Sequence, residues 1–302
     1  VKPAPFEYFR ARTVEEAIDL LAEHGPDAKP LAGGQSLLPA MNFRLATPAV
    51  LVDLNETDGL SNVTAQDDGL HLGGMTRHRT LEQSDTVARE APLVTAAMPF
   101  VAHPAIRTRG TLGGSLAHAD PAAELPAVML ALDAVFTVRN REGSRTVRAA
   151  DFFTGLFTTT LQAGELLTDV LIPRRPPRSA YAFQEIARRH GDYALAGAAA
   201  AVAVDERGRC TSARVALLSV ADRPVLAEHV RRALEGKQPT AEAIYDAAAA
   251  AAAHDIDPPG DIHASSAYRR HLAAVLMRRV LDSAFIRCRA TLSGSPEPRE
   301  SS

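Results

Sequence analysis

Two glycine pairs set the terms on which this chain can fold. Residues 31–37 read LAGGQSL and residues 110–116 read GTLGGSL, each a glycine doublet among small residues, bounded by leucines and followed by a serine. Glycine takes backbone conformations that a Cβ forbids and lets another group come against the main chain. Successive amide N–H groups in such a turn converge on an anion, the more so where a helix starts just behind them. Gly33-Gly34-Gln35-Ser36 and Thr111-Leu112-Gly113-Gly114-Ser115 both offer that geometry with a hydroxyl added. Neither matches GxGxxG or GxxxxGK followed by Ser or Thr, so the Rossmann fingerprint and the P-loop are both unsupported. Taken singly, each doublet reads as a tight connection between apolar runs. As a pair they suit a diphosphate held from two sides.

The surrounding pattern places these turns between strands and helices. Thr13-Val14-Glu15-Glu16 has the spacing of a capping box, and apolar positions follow at helical spacing until His24-Gly25-Pro26 stops them. AKPLA (28–32) reads as a strand entering Gly33, Ser36 as the cap of a following helix, and AVLVDL (49–54) as a second strand. GLHLGGM (69–75) and a helix over 91–103 lead to the second doublet. A helix over 121–134 follows, with Pro126 an expected irregularity. AVFTVRN (134–140) and RTVRAADFF (145–153) form a predicted hairpin, and 165–173 a further strand. Arg174-Arg-Pro-Pro-Arg178 interrupts all periodicity and marks the domain boundary. Beyond it come three strands (179–189, 196–206, 212–221) and then three helical runs, the order of an antiparallel sheet with helices on one face.

Composition narrows the function. At 302 residues the chain exceeds one domain of about 100–200 residues. Its longest alanine run, 247–253, is far short of the roughly 20 apolar residues of a membrane span. The segment VKPAPFEYF carries no apolar run with a cleavage site, so no secretory signal is expected and the expected compartment is the cytoplasm. Cys210 and Cys288 are the only cysteines, which excludes a disulfide framework, a zinc site or an iron–sulfur cluster within this chain. A net charge of −3, no Trp and 5% aromatic residues argue against nucleic acid as a partner. His103 and His118 bracket the second doublet without a nucleophile or carboxylate at triad spacing. They read as loop hydrogen-bonding groups, and no catalytic or metal-ligating residue is assigned.

Three segments, KPLAGGQSLLPAMNFR (29–44), HPAIRTRGTLGGSLAHADPAAELPAVMLAL (103–132) and FQEIARRHGDYALAGAAAAV (183–202), together resemble the FAD-binding medium subunit of molybdenum hydroxylases, the carbon monoxide dehydrogenase and xanthine dehydrogenase family. The resemblance runs in order across about residues 3–288. It implies an α+β chain: a two-lobed vanillyl-alcohol-oxidase-type FAD-binding domain over 1–176, then a small antiparallel-sheet domain with helices over 177–288. The two lobes, both α/β, would cover about 1–55 and 56–176, and 289–302 would be a disordered tail. The implied cofactor is FAD. Its contacts, carried over by motif, are Lys29, Pro30, Leu31, Ala32, Gly33, Gly34, Gln35, Ser36 and Leu37 from one lobe and Thr111, Gly113, Gly114 and Ser115 from the other. Val101 would lie near the flavin edge, Glu124 would hold sugar or ribityl hydroxyls, Leu167 would contact FAD through its backbone, and Tyr193 would approach the flavin ring.

Some features stay open at this level. Glu124 in the first turn of a helix is also what the helix dipole favours on its own, and Tyr193 at a strand start is also an ordinary packed tyrosine. Gln35 stands where relatives often carry His, so non-covalent FAD is expected. Gln184 and Glu185 fall where some relatives carry a Lys, which puts lysine tuning of the flavin in doubt. Gly33→Val and Gly114→Val are each expected to abolish FAD retention with the fold largely intact.

The implied role is electron transfer within a complex. A small [2Fe-2S] subunit and a large molybdopterin-binding subunit would be the partners, as a dimer of three-subunit units, with quinone, NAD or oxygen as acceptor. Contact with the inner face of a membrane would come only through partners. The alternatives are a freestanding FAD-dependent oxidoreductase acting on a small substrate, and a non-enzymatic protein whose glycine turns are structural. Flavin absorbance separates the last from the others, and co-purification separates the first two.

Overall fold

The computed structural model describes residues 2–292. The first lobe runs β1 (Glu7–Arg10), α1 (Val14–His24), β2 (Ala28–Leu31), α2 (Leu37–Asn42) and β3 (Val50–Asp53). Its strands lie in the order β1-β3-β2, all parallel, with α1 packed on β2 and β3. No sequence period announces β1, because three of its four residues are exposed. At the start of α1 the Thr13 hydroxyl accepts the Glu16 N–H at 3.1 Å, as the capping box predicts. The Glu16 carboxylate takes the N–H of Arg12, one residue before the cap (2.8 Å). Ser36 precedes α2, but its backbone is helical (φ −105°, ψ −45°) and its hydroxyl makes no cap bond, contrary to expectation.

The second lobe comprises β4 (Val63–Ala65), β5 (Gly69–Gly73), α3 (His78–Gln83), α4 (Asp85–Glu90), α5 (Pro92–Ala97), α6 (Pro104–Arg107), α7 (Leu112–His118), α8 (Glu124–Ala131), β6 (Val135–Asn140), β7 (Gly143–Arg148), α9 (Ala149–Phe152), β8 (Phe153–Gly155), β9 (Thr158–Thr159) and β10 (Leu166–Pro173). Its main sheet has the order β4-β5-β10-β6-β7 and is antiparallel throughout, so of the two lobes expected to be α/β only the first is. The helix expected over 91–103 stops at Ala97 and becomes a 3₁₀ turn over Met98–Phe100, since Pro99 cannot continue an α-helix. Pro126 causes no irregularity: it is the third residue of α8, where a backbone N–H has no intrahelical partner to lose. The strand expected to 153 ends at Arg148, and Ala149–Phe152 turns helical.

The C-terminal part holds β11 (Ser179–Ala187), β12 (Ala194–Val204), β13 (Cys210–Leu218), β14 (Val225–Leu226), α10 (Glu228–Leu234), α11 (Ala241–His254) and α12 (Ser266–Leu292). The four strands pair antiparallel in sequence order. α12 covers β11 and β12 on one face, while α5 and α8 of the second lobe pack against the sheet from the other. Ala196, Ala198 and Ala200 face the first of these cores and Ala199 the second. Residues 289–292, expected as the start of a disordered tail, continue α12. The remainder of that tail, 293–302, lies outside the described residues.

The two lobes touch at the glycine doublets. A Cβ built on Gly33 would lie 2.4 Å from the Arg109 carbonyl oxygen and 2.8 Å from the Gly110 Cα, so one main chain rests directly on the other. Arg77 fastens the contact by donating to the Arg109 carbonyl and, at 2.6 Å, to Asn55 Oδ1. Asn55 in turn donates to the Ala32 carbonyl at 3.1 Å and to Asp53, which also accepts from the Tyr8 hydroxyl. Substitution Gly33→Ala is therefore expected to cost about 1–3 kcal/mol, the usual price of overpacking, read by denaturant unfolding. Gly155→Ala is the control, with a Cβ no closer than 3.6 Å to any neighbour, and should change stability little. Equal stability of the two variants would overturn the close-approach argument.

Candidate cofactor site

A cleft of about 880 Å³ opens where the lobes meet, within the size range of cofactor pockets. Lys29, Pro30, Ala32, Gly33, Gly34, Gln35, Ser36 and Leu37 line one side. Val101, Thr111, Gly113, Gly114, Ser115, Glu124, Leu167 and Tyr193 also line it. Leu31 is the expected contact residue that does not: its side chain lies beneath Gly34, 3.4 Å from where that residue's Cβ would be.

The two glycine turns prepare different donors. Among the described residues, none of the N–H groups of Gly33, Gly34, Gln35 and Ser36 donates to another protein group. Gly34 has φ +71°, and the Gln35 side chain folds back onto the Gly33 carbonyl at 3.0 Å. This turn is an open amide nest of the kind that binds anions. The second turn is closed. The N–H of Leu112 goes to the Thr76 carbonyl (2.9 Å), that of Gly113 to the Gly74 carbonyl (2.8 Å), and that of Gly114 to the Thr111 hydroxyl (3.1 Å). What it can offer a ligand is hydroxyl groups, from Thr111 and Ser115.

The glycines of the second turn also serve a different purpose from the one expected. A Cβ on Gly113 would strike the Gly74 backbone at 2.6 Å, and one on Gly114 would meet the Thr111 hydroxyl at 2.7 Å and the Ala32 Cβ at 3.5 Å. Gly33→Val and Gly114→Val therefore disturb packing within and between the turns, and the expectation of an intact fold is corrected. His78, which sequence reasoning missed, braces the turn from behind. Its backbone N–H reaches the Gly110 carbonyl (3.0 Å) and its Nε2 the Thr111 carbonyl (2.9 Å), an acceptor that assigns the proton to Nε2. Burial pushes His78 down to about 4, so the ring is neutral.

Arg107, in the IRTRGT lead-in, is nearly buried and forms a fork on Glu82 (2.9 and 3.1 Å) while donating to the carbonyls of Val101 and Ala102. It thereby fixes the segment that brings Val101 to the cleft. His103 bears on the opposite loop: a Cβ on Gly191 (φ +82°) would lie 2.5 Å from its ring. That loop carries Arg188, which is paired with Asp192 at 3.7 Å, and Tyr193, which is 71% exposed at the cleft. His118 makes a ring contact rather than a loop hydrogen bond, lying 5.0 Å from Phe157.

Glu124 is buried, not the solvated first-turn carboxylate that its position alone allowed. Burial, with Asp120 nearby, pushes its carboxyl up to about 7. Glu185 goes further: burial and the charge of Glu124 push it up to about 8, and its Oε2 has no hydrogen-bond partner. The Cys210 and Cys288 thiols are buried and pushed up to about 12 and about 11, which removes thiolate chemistry. Among the described residues no group of His, Cys, Asp and Glu is arranged to hold a metal ion, and no helix is long and apolar enough to cross a membrane.

An open amide nest and two hydroxyls on one cleft, with apolar walls and the buried Glu124 carboxyl, fit a dinucleotide with one diphosphate and polyhydroxylated linkers. Residues 4–175 match the family model for the FAD-binding domain of molybdopterin dehydrogenases, and residues 181–284 that for the C-terminal domain of the CO dehydrogenase flavoprotein. The 6-hydroxypseudooxynicotine dehydrogenase complex subunit alpha of Paenarthrobacter nicotinovorans is 42% identical, over 96% of this chain and 98% of that one. The carbon monoxide dehydrogenase medium chain of Afipia carboxidovorans is 37% identical, over 95% and 99%. A solved structure of carbon monoxide dehydrogenase from Hydrogenophaga pseudoflava superposes with a TM-score of 0.92 at 36% identity, covering 95% of this chain and 100% of that one. The chain belongs to the family of FAD-binding medium subunits of molybdenum hydroxylases, oxidoreductases whose flavoprotein cofactor is FAD.

Proposed function

We propose that this chain is the electron-transfer subunit of a cytoplasmic molybdenum hydroxylase complex. The chain would hold FAD between [2Fe-2S] clusters on a partner subunit, as electron donors, and an external acceptor, quinone, NAD or oxygen. FAD bound here supplies the exchange between one-electron and two-electron steps. The observation that carries the reading is the unpartnered amide run of Gly33–Ser36, set against the second turn across a shared cleft. In this reading those four N–H groups and the Ser36 hydroxyl hold one side of the diphosphate, and the Thr111 and Ser115 hydroxyls hold the other. Aimed dipoles then neutralise the phosphates without an arginine cluster. Lys29, Pro30, Ala32 and Leu37 frame the nest, while Val101 and Leu167 form apolar walls. Glu124 meets the ribityl or sugar hydroxyls, and Tyr193 stands beside the flavin ring.

Two cysteines, Cys210 and Cys288, are too few to ligate a [2Fe-2S] cluster, which supports a partner as electron source, with a molybdopterin subunit completing a three-subunit unit that dimerises. The names of the relatives, which describe subunits and medium chains, support the same assembly. The FAD-binding unit is assigned to residues 1–176 and the C-terminal unit to 177–288. Any approach to the inner face of a membrane is made through partners.

Purified chain titrated with FAD should quench flavin fluorescence and gain a visible flavin band, with ADP competing. Ser36→Ala should weaken FAD by about tenfold, the scale of a hydrogen bond to a charged group. An unchanged spectrum after FAD addition would sink the flavin reading, and substrate turnover by the isolated chain would overturn the subunit reading.

The raised carboxyls of Glu124 and Glu185 give a pH signature in the chain without FAD. Their folded pKa values lie above the ordinary carboxylate range, so the folded state holds protons that the unfolded state releases. The stability this contributes is complete below about pH 4.5 and is lost as pH rises through about 7 to 8. The melting temperature should therefore fall across that interval, and Glu185→Gln should flatten the fall. A pH profile unaltered by the substitution would show that Glu185 is ionised at neutral pH.

A further inference from the structure

Two large exposed aromatic side chains line the cleft, Tyr193 and Phe157. Phe157 lies in the turn between β8 and β9, 52% exposed, beside Leu156 at 60%. Its backbone sits at φ +51°, a left-handed conformation that bulky residues rarely hold. A glycine or asparagine would suit both the backbone and the solvent at this turn. The sequence instead places an aromatic ring there. His118, the last residue of α7, lies against that ring at 5.0 Å with an interplanar angle of 39°.

The location within the cleft is set by the neighbours. His118, Asp120 and Glu124 lie on one stretch of chain, and all three line the cleft together with Phe157 and Tyr193. Phe157 and His118 touch, and Tyr193 and Glu124 share the cleft with them. From Phe157 the lining follows the chain away to Gly164, which packs on Ala22 of α1 in the first lobe. The nest at Gly33–Ser36 belongs to that first lobe as well.

We infer that Phe157, backed by His118, is an aromatic wall on which the isoalloxazine ring of FAD stacks. The inference rests on the proposed FAD site and adds to it a flavin-specific contact. A planar ring covering Phe157 removes apolar surface from water and gains offset stacking. The strained backbone turns the ring toward the cofactor rather than into the chain's own core.

The full chain is titrated with FAD and, separately, with ADP, which carries the adenosine and the diphosphate but no flavin. Phe157→Ala should raise the FAD dissociation constant about tenfold, leave ADP binding unchanged and alter the visible circular dichroism of bound flavin. Phe157→Tyr should retain wild-type affinity. Phe157→Gly should lose FAD affinity like the alanine variant while the melting temperature of the FAD-free chain stays level or rises, because glycine relieves the backbone. FAD affinity unchanged in both the alanine and glycine variants overturns the inference. Equal weakening of FAD and ADP overturns it too, by moving the ring to the adenosine end. Wild-type protein that binds neither ligand overturns the FAD site and this contact together, whereas wild-type binding with indifferent variants overturns the contact alone.

Discussion

The cleft exists because one main chain can lie directly on another at Gly33. With 2.4 Å between an imagined Cβ and the Arg109 carbonyl, no other residue leaves the two lobes at this separation. The approach also brings together two carbonyls, those of Ala32 and Arg109, which a bridge of Asn55 and Arg77 satisfies. Arg77 is thus occupied with protein carbonyl and amide oxygens rather than with a ligand anion. The spacing of the cradle is set before a cofactor arrives, which spares the bound state the entropy of ordering it.

The doublets look alike in sequence and differ in use. Gly33 and Gly113 are each glycine because main chain meets main chain, but at Gly113 the meeting is internal to the second lobe, with Gly74, while Gly114 sits over the Thr111 hydroxyl that caps it. The amides there are consumed, Leu112 on the Thr76 carbonyl and Gly113 on the Gly74 carbonyl just past β5, and Gly114 in the Thr111 cap. Only the first doublet leaves amides unspent. An anion site built this way has one adaptable, open side and one rigid side that contributes hydroxyls, and the rigid side is braced by a neutral His78 that adds no charge of its own.

What the sequence made legible follows this division. Glycine spacing, the Thr13 cap and the strand order after the Pro-rich break are local signals, and each corresponds to a feature of the fold. β1 was not legible because its four residues alternate neither in polarity nor in burial; it is a strand through pairing with β3 alone. Asn55, Arg77 and His78 were missed for the same reason, since each acts on atoms distant in the chain and belongs to no motif. Ser36 shows the reverse: a local cap signal fails because the turn holds the serine backbone in a helical conformation, which leaves the hydroxyl free for the cleft. The packing role of Gly113 was not legible, because the partner that needs it, Gly74, lies outside the doublet.

The alanine-rich strand β12 ties the C-terminal sheet to this geometry. It carries helices on both faces, α12 on one and α5 and α8 on the other, and side chains larger than alanine would push one layer away. α8 begins at Glu124, and the loop joining β11 to β12 carries Tyr193. Packing of small side chains between α8 and β12 therefore fixes the distance between a buried carboxyl and an exposed phenol that both line the cleft. Gly191 against His103 adds a second point of contact to the loop, so the tyrosine is positioned from both the sheet and the lobe. The C-terminal unit thus supplies one wall of the cleft, and its alanine run is a distance constraint on that wall.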